Sequence, residues 1–216
     1  MAYHVFVPQA GGLGPVYSRF ETREREVWLT IDDGPDPVDT PQLLEVLARH
    51  GARATFFTIG KLVEAHPELM RAILADGHEV AHHTHTHPLP TFWAAGPGRT
   101  DRELDRSVEN FAAFGVAPRW FLAPAGIKAL WLHPALAQRG LACVAWSGRG
   151  LERWADRPEP VVARLLKGVR PGAVLLVHQG RRVPAAVRVA AIDQLLAQLA
   201  QRGYRTIIPR PEQLRA

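Results

Sequence analysis

From about residue 27 to its end, the chain alternates short apolar runs with longer amphipathic stretches, and this alternation restricts it to one class of fold. Residues 27–31, 54–58, 79–81, 120–122, 141–146, 173–178 and 204–208 read as strands. Helical signals separate them. Thr40-Pro41 puts a capping hydroxyl before a proline at the first helical position, and Gly51 closes that helix. Another helix follows His66-Pro67 and stops at Asp76-Gly77. Thr100 and Glu103 have the spacing of a capping box, for a helix running to about Phe114. Further helices are expected around 133–139, 160–167 and 185–201. Such a series builds an α/β fold of parallel strands with helices outside. Its seven or so units favour a closed or nearly closed barrel over an open sheet. Residues 1–216 read as a single domain, with its core over about 27–208 and no repeat or linker.

An α/β barrel gathers its chemistry at the C-terminal ends of the strands. Asp32-Asp33, the histidines after residue 81, Pro124-Ala125-Gly126, Trp146-Ser147 and His178 all fall at such ends. Residues far apart in sequence are therefore expected around one mouth.

Composition narrows the partners. The net charge of +5 invites an anionic partner, but the positive residues are nearly all arginine and scatter along the chain, with only Arg181 and Arg182 as an adjacent pair. A nucleic-acid footprint would be a stripe or cluster, so no nucleic acid is expected. No run approaches the ~20 apolar residues that span a bilayer, so no transmembrane segment is expected. The start, MAYHVFVPQAGG, lacks the pattern of a signal peptide. Cys143, the single cysteine, excludes an intramolecular disulfide and sits in the apolar run LACVAW as an inert thiol. These features predict a cytoplasmic protein, with the inner membrane surface as the alternative, and leave the oligomeric state open.

Three motifs carry chemistry. In LTIDDGPDP two adjacent carboxylates repel unless a cation or shared proton relieves them, and Gly34-Pro35 is expected to turn the chain so that both are presented. In GHEVAHHTHTH, five of the ten histidines (His78, His82, His83, His85 and His87) crowd into one segment. His83 and His87, at i and i+4, would share one side of a helical turn. With a carboxylate from the first motif they make a two-histidine, one-carboxylate set open to water, suited to zinc, iron or cobalt. The third motif, GAVLLVHQG, ends an apolar strand in His178.

TIDDGP, HHTHTH and LLVHQG together resemble the first, second and fifth motifs of the polysaccharide deacetylases, the NodB-homology or carbohydrate esterase family four. The resemblance covers about 27–208 and implies a distorted (β/α)7 barrel. It implies Asp32 as catalytic base and His178 as general acid, with Asp33, His83 and His87 as ligands of one divalent ion. Zinc is the first expectation for that ion, with cobalt, nickel or iron as alternatives. Leu176 matches a leucine lining the pocket for the acyl methyl group. Pro124-Ala125-Gly126 resembles the end of the third motif, where the backbone N–H at Ala125 helps hold the oxyanion. The implied activity is hydrolysis of an N-acyl, first of all N-acetyl, group on an amino sugar, free or lipid-linked.

Two motifs depart from the family. Leu122 stands where the third motif carries an arginine, and Ala125 where it carries an aromatic residue. The fourth motif, WSGRGLERW, has Arg149 in place of an aspartate, near Trp146. Arg149 is expected beside Asp32, and Glu152 as the partner of His178. An apolar rim (Pro88, Leu89, Pro90, Phe92, Trp93 and Trp131) reads as core packing or as a platform for a sugar ring or lipid tail. Two other readings stay open. The same machinery could act on a formyl group or a small amide, or the chain could bind sugar or metal with impaired catalysis.

Overall fold

Nine consecutive buried residues, Glu26–Gly34 (β3), form the spine of the sheet. β3 pairs in parallel with Ala54–Thr58 (β4) on one side and Ala173–His178 (β9) on the other. The ladder continues in parallel from β4 through Glu79–His82 (β5), Trp120–Leu122 (β6) and Ala142–Val144 (β7). The computed structural model describes residues 1–180 and 183–216, so the Arg181-Arg182 pair lies outside the described residues.

The stretch expected as one strand at 141–146 bends instead. β7 pairs with β6, and the chain then resumes as Gly148–Arg149 (β8) beside β9. Ser147 N–H donates to Val174 O at 2.9 Å, so this bent segment joins the two ends of the ladder and nearly closes the barrel. The expected last strand shrinks to Arg205–Thr206 (β10), which pairs with the start of β3. The sheet also reaches outside 27–208. Val16–Tyr17 (β1) pairs with β7, and Arg19–Phe20 (β2) and Leu214–Arg215 (β11) add an antiparallel edge beside β9. Those two strands reach the edge directly from the terminal segments, without the helical crossover that parallel neighbours need.

Period-2 alternation divides the core in two. Val27, Leu29 and Ile31 of β3 and Ala173, Leu175 and Val177 of β9 pack under Asp39–Arg49 (α2), Pro67–Ala75 (α4), Pro158–Lys167 (α7) and Ala185–Gln201 (α8). Trp28, Phe57, Val174 and Leu176 join a second cluster with Trp120 and Leu122. Asp32 and His178 continue the second set of alternating positions, at the C-terminal end of their strands. Full burial of each large apolar side chain contributes about 1.5–3 kcal/mol. The remaining helices are Ala2–Phe6 (α1), Gly60–Ala65 (α3), Pro97–Ala112 (α5) and Leu132–Gln138 (α6). No described helix is long and apolar enough to cross a membrane.

Of the three expected helix starts, the one at His66-Pro67 holds and the other two are corrected. Asp36, and not Thr40, closes the start of α2, its Oδ1 accepting from the N–H groups of Val38 and Asp39. Thr40 accepts from Asp36 N–H and donates to Gln179 Oε1. α5 begins at Pro97, so Thr100 lies inside the helix and donates to Gly96 O. That frees Glu103 from capping its own helix.

Candidate active site

The two aspartates part company through a bulge in β3. Asp32 pairs with Phe57 of β4 and Gly34 with Thr58, so Asp33 is the extra residue, with φ 72°. The strand thus runs through the carboxylates to Gly34 instead of turning at Gly34-Pro35. A bulge re-aims one side chain without ending the strand. Asp32 stays in register with His178 of β9. Asp33 faces the histidines, its Oδ1 3.2 Å from His83 Nε2 and 3.3 Å from His87 Nε2. Asp32 Oδ2 stands farther off, 4.0 Å from His83 Nε2.

His83 and His87 meet through a loop and not a helical turn. Thr84 and His87 both have positive φ, and Thr84 Oγ1 accepts from His87 N–H at 3.0 Å. The ring centroids are 4.8 Å apart. Backbone fastens this loop to the end of β4: His83 N–H donates to Thr58 O, Gly60 N–H to Thr84 O and Lys61 N–H to His85 O. Glu103 of α5 completes the anchorage by accepting from the N–H groups of His85 and Thr86 and from the Thr86 hydroxyl.

The donor set suits a divalent ion. Atoms of Asp33, His83 and His87 lie within 4.8 Å of one another. His83 Nδ1 donates to Leu122 O at 2.7 Å, which leaves the Nε2 lone pair for a ligand in the neutral ring. Electrostatics point the same way. Burial alone would raise the Asp33 carboxyl, but the hydrogen bond and charge of His83, with His178 and His87, hold it below the usual carboxylate range. Burial opposes charge on His83, yet the Asp32 and Asp33 carboxylates raise its pKa. The pocket therefore draws positive charge, and a bound ion would displace that proton. The other histidines serve elsewhere. His82 Nε2 donates to Leu104 O while its Nδ1 accepts from Thr84 N–H, and burial pushes the ring down to about 4, so it stays neutral. His78 accepts from Ala54 N–H, and the His85 ring lies against Gly60.

Across the mouth, His178 Nδ1 is 2.9 Å from Oε2 of the buried Glu152. The segment after His178 is latched to α2, because Gly180 N–H donates to Asp39 Oδ2 and Arg188 of α8 grips both Asp39 oxygens. The Arg149 guanidinium lies 4.9 Å over the Trp146 ring, a cation–π contact. Leu176 is buried on β9 beside Arg149 of β8. Ala125 occupies the left-handed region at φ 55°, ψ 12°, a conformation costing a residue with a Cβ about 1–2 kcal/mol. The apolar rim divides: Phe92 is core, whereas Trp93 and Trp131 are half exposed.

Sequence reasoning missed Glu103 and Lys128. The first had a readable signal. Thr100, Glu103, Leu104, Ser107 and Phe111 are the buried residues of α5 and fall at helical three- and four-residue spacing, which puts Glu103 on the inward face. Lys128, buried beside the Ala125 loop, had none.

Comparison with known proteins agrees with this architecture. The polysaccharide deacetylase family profile matches residues 19–144. A chitooligosaccharide deacetylase of Sinorhizobium fredii (strain NBRC 101917 / NGR234) is 38% identical over 199 residues, 86% of this chain and 91% of that protein. A peptidoglycan-N-acetylglucosamine deacetylase of Bacillus cereus is 32% identical, over 85% of this chain and 86% of its own. Among solved structures, a family 4 carbohydrate esterase from Streptomyces lividans in complex with acetate superposes with a TM-score of 0.79 at 30% identity, covering 88% of this chain and 96% of that one. With a profile match over more than half its length and relatives of this similarity, the chain belongs to the polysaccharide deacetylase family, carbohydrate esterase family four, together with the two named deacetylases, which are hydrolases of carbon–nitrogen bonds other than peptide bonds.

Proposed function

We propose that the protein removes an N-acetyl group from an amino sugar, in a substrate of the chitooligosaccharide or peptidoglycan type on which its named relatives act. One observation carries the reading: Asp32 and His178 sit in register on adjacent strands beside the Asp33, His83 and His87 cluster. Those three residues would hold one divalent ion, zinc first. A bound ion would polarise the acyl carbonyl and lower the pKa of water enough for a base to deprotonate it near neutral pH.

The chain's own groups do the rest. Asp32 takes the proton from the attacking water. The Ala125 N–H donates to the tetrahedral oxyanion, a role independent of its side chain. His178 protonates the departing amine nitrogen as the C–N bond breaks, and acetate and a free amino sugar result. Glu152, accepting at Nδ1, keeps the exchanged proton on Nε2 of His178. Leu176 walls the space for the acyl methyl, and Trp146 with Arg149 lines the approach.

The test is acetate or formate release from a panel of N-acylated amino sugars, after chelation and again after adding zinc, cobalt, nickel or iron. Lipid-linked sugars belong in the panel because an apolar groove of about 380 Å³, lined by Phe6, Trp93, Leu130 and Trp131 among others, opens on the surface. Metal-restored acetate release upholds the proposal. Formate release in its place would assign a deformylase. Stoichiometric metal binding with no release from any sugar would overturn catalysis.

A further inference from the structure

The loop that carries Ala125 has little of its own to hold it. Ala125 has no side chain beyond Cβ, and its left-handed backbone is one that surroundings must impose. Within the loop, Gly126 N–H donates to Ala123 O and Ile127 N–H to Pro124 O. A further restraint comes from residues 5–9, a segment that precedes the family match at residue 19.

Lys128 is the link. Its side chain is 1% exposed, and an ammonium so buried is costly unless hydrogen-bonded. Its Nζ donates to Val7 O at 2.8 Å and Pro8 O at 3.0 Å, and its own N–H donates to Val5 O. Pro8 then presses on the oxyanion turn: a Cβ on Gly126 would meet Pro8 at 2.6 Å and the Trp146 ring at 2.8 Å. Gln9 Nε2 donates to Trp146 O, tying the same segment to the neighbouring wall of the mouth.

We infer that residues 5–9, anchored by Lys128, form a strap that positions the Ala125 N–H for the transition state, with Lys128 and Pro8 as positioning residues. The inference rests on the deacetylase reading above. A donor displaced by about 1 Å loses on the order of a hundredfold in rate, while ground-state binding need not change.

The experiment uses the full-length, metal-loaded protein. Lys128→Met and Pro8→Gly are each expected to lower kcat about tenfold to a hundredfold, with KM and metal stoichiometry unchanged. Lys128→Arg should restore part of the loss by keeping charged donors. Pro8→Gly retains the Pro8 carbonyl and decides the matter if Lys128→Met does not fold. Wild-type kcat in Pro8→Gly, or a loss that follows only metal content or thermal stability, overturns the strap. An active wild type with silent effects at both positions refutes this inference alone, whereas a wild type inactive on every sugar removes the deacetylase reading and the strap with it.

Discussion

The side of the mouth that carries Asp33, His83 and His87 is held mainly by backbone, with Glu103 as an added anchor, whereas the side that carries Ala125, Trp146 and Arg149 depends more on side chains from distant segments. On the first side a strand bulge aims Asp33, the Leu122 carbonyl fixes His83, and the end of β4 binds the histidine loop through main-chain hydrogen bonds. On the second, a buried lysine, a proline ring and a stacked arginine do the holding. Main-chain contacts survive changes of side chain, so Leu122 orients His83 through its carbonyl whatever side chain the position carries. Side-chain contacts can be exchanged, and Ala125 and Arg149, two of the positions read as departures from the family motifs, lie on that side.

Perturbations of the backbone-held side should have the largest effects. His87→Ala or chelation is expected to reduce acyl release to background, with calorimetric metal titration reporting lost binding in the variant. Asp32→Asn should lower kcat by about 10³-fold, within the range of general acid–base contributions, while metal stoichiometry stays at the wild-type value. Metal loss in that variant would move Asp32 into the ligand set. Glu152→Gln, on the opposite side, is expected to cost about tenfold to a hundredfold in kcat with metal affinity unchanged, as for groups that orient a working histidine. An undiminished rate would remove Glu152 from the mechanism.

Two smaller effects sharpen the contrast. Glu103→Ala strips the acceptor from two N–H groups and a hydroxyl of the histidine loop. It should weaken metal affinity about tenfold and cost about 2 kcal/mol of stability, read by metal titration and thermal melting, with activity recovered in excess metal. Unchanged affinity would mean that the β4 end alone holds the loop. Arg149→Ala removes a half-buried cation–π contact worth about 1 kcal/mol, which predicts a rise of about fivefold in KM. Unchanged kinetics would make Arg149 a surface residue with no part in substrate binding.

Much of this was legible before any coordinates. Strand–helix alternation gave the order of elements and set Asp32, His83 and His178 at strand ends, because local periodicity reports which face of an element is buried. The pairing of Glu152 with His178 was expected only from the place of Glu152 in the fourth-motif loop, and the structure brings the two together. The i and i+4 spacing of His83 and His87 misled in mechanism. Positive φ at Thr84 and His87 breaks the helical turn, while the Thr84 hydroxyl and Glu103 bring the rings together by another route. The Thr100 and Glu103 spacing misled in the same way, since a residue with capping-box spacing was needed by a loop outside its helix.

By itself, the sequence determined the central strands and helices, their order and the chemical types gathered at the mouth, all of which depend on neighbours a few residues away. Only the tertiary structure decided that Asp33 bulges out of β3, that 142–149 bends to close the barrel, and that Lys128 grips a carbonyl 121 residues away at Val7. Those outcomes turn on which buried polar group finds which partner. Such pairing must satisfy donors and acceptors across the whole molecule at once, and no local pattern encodes it.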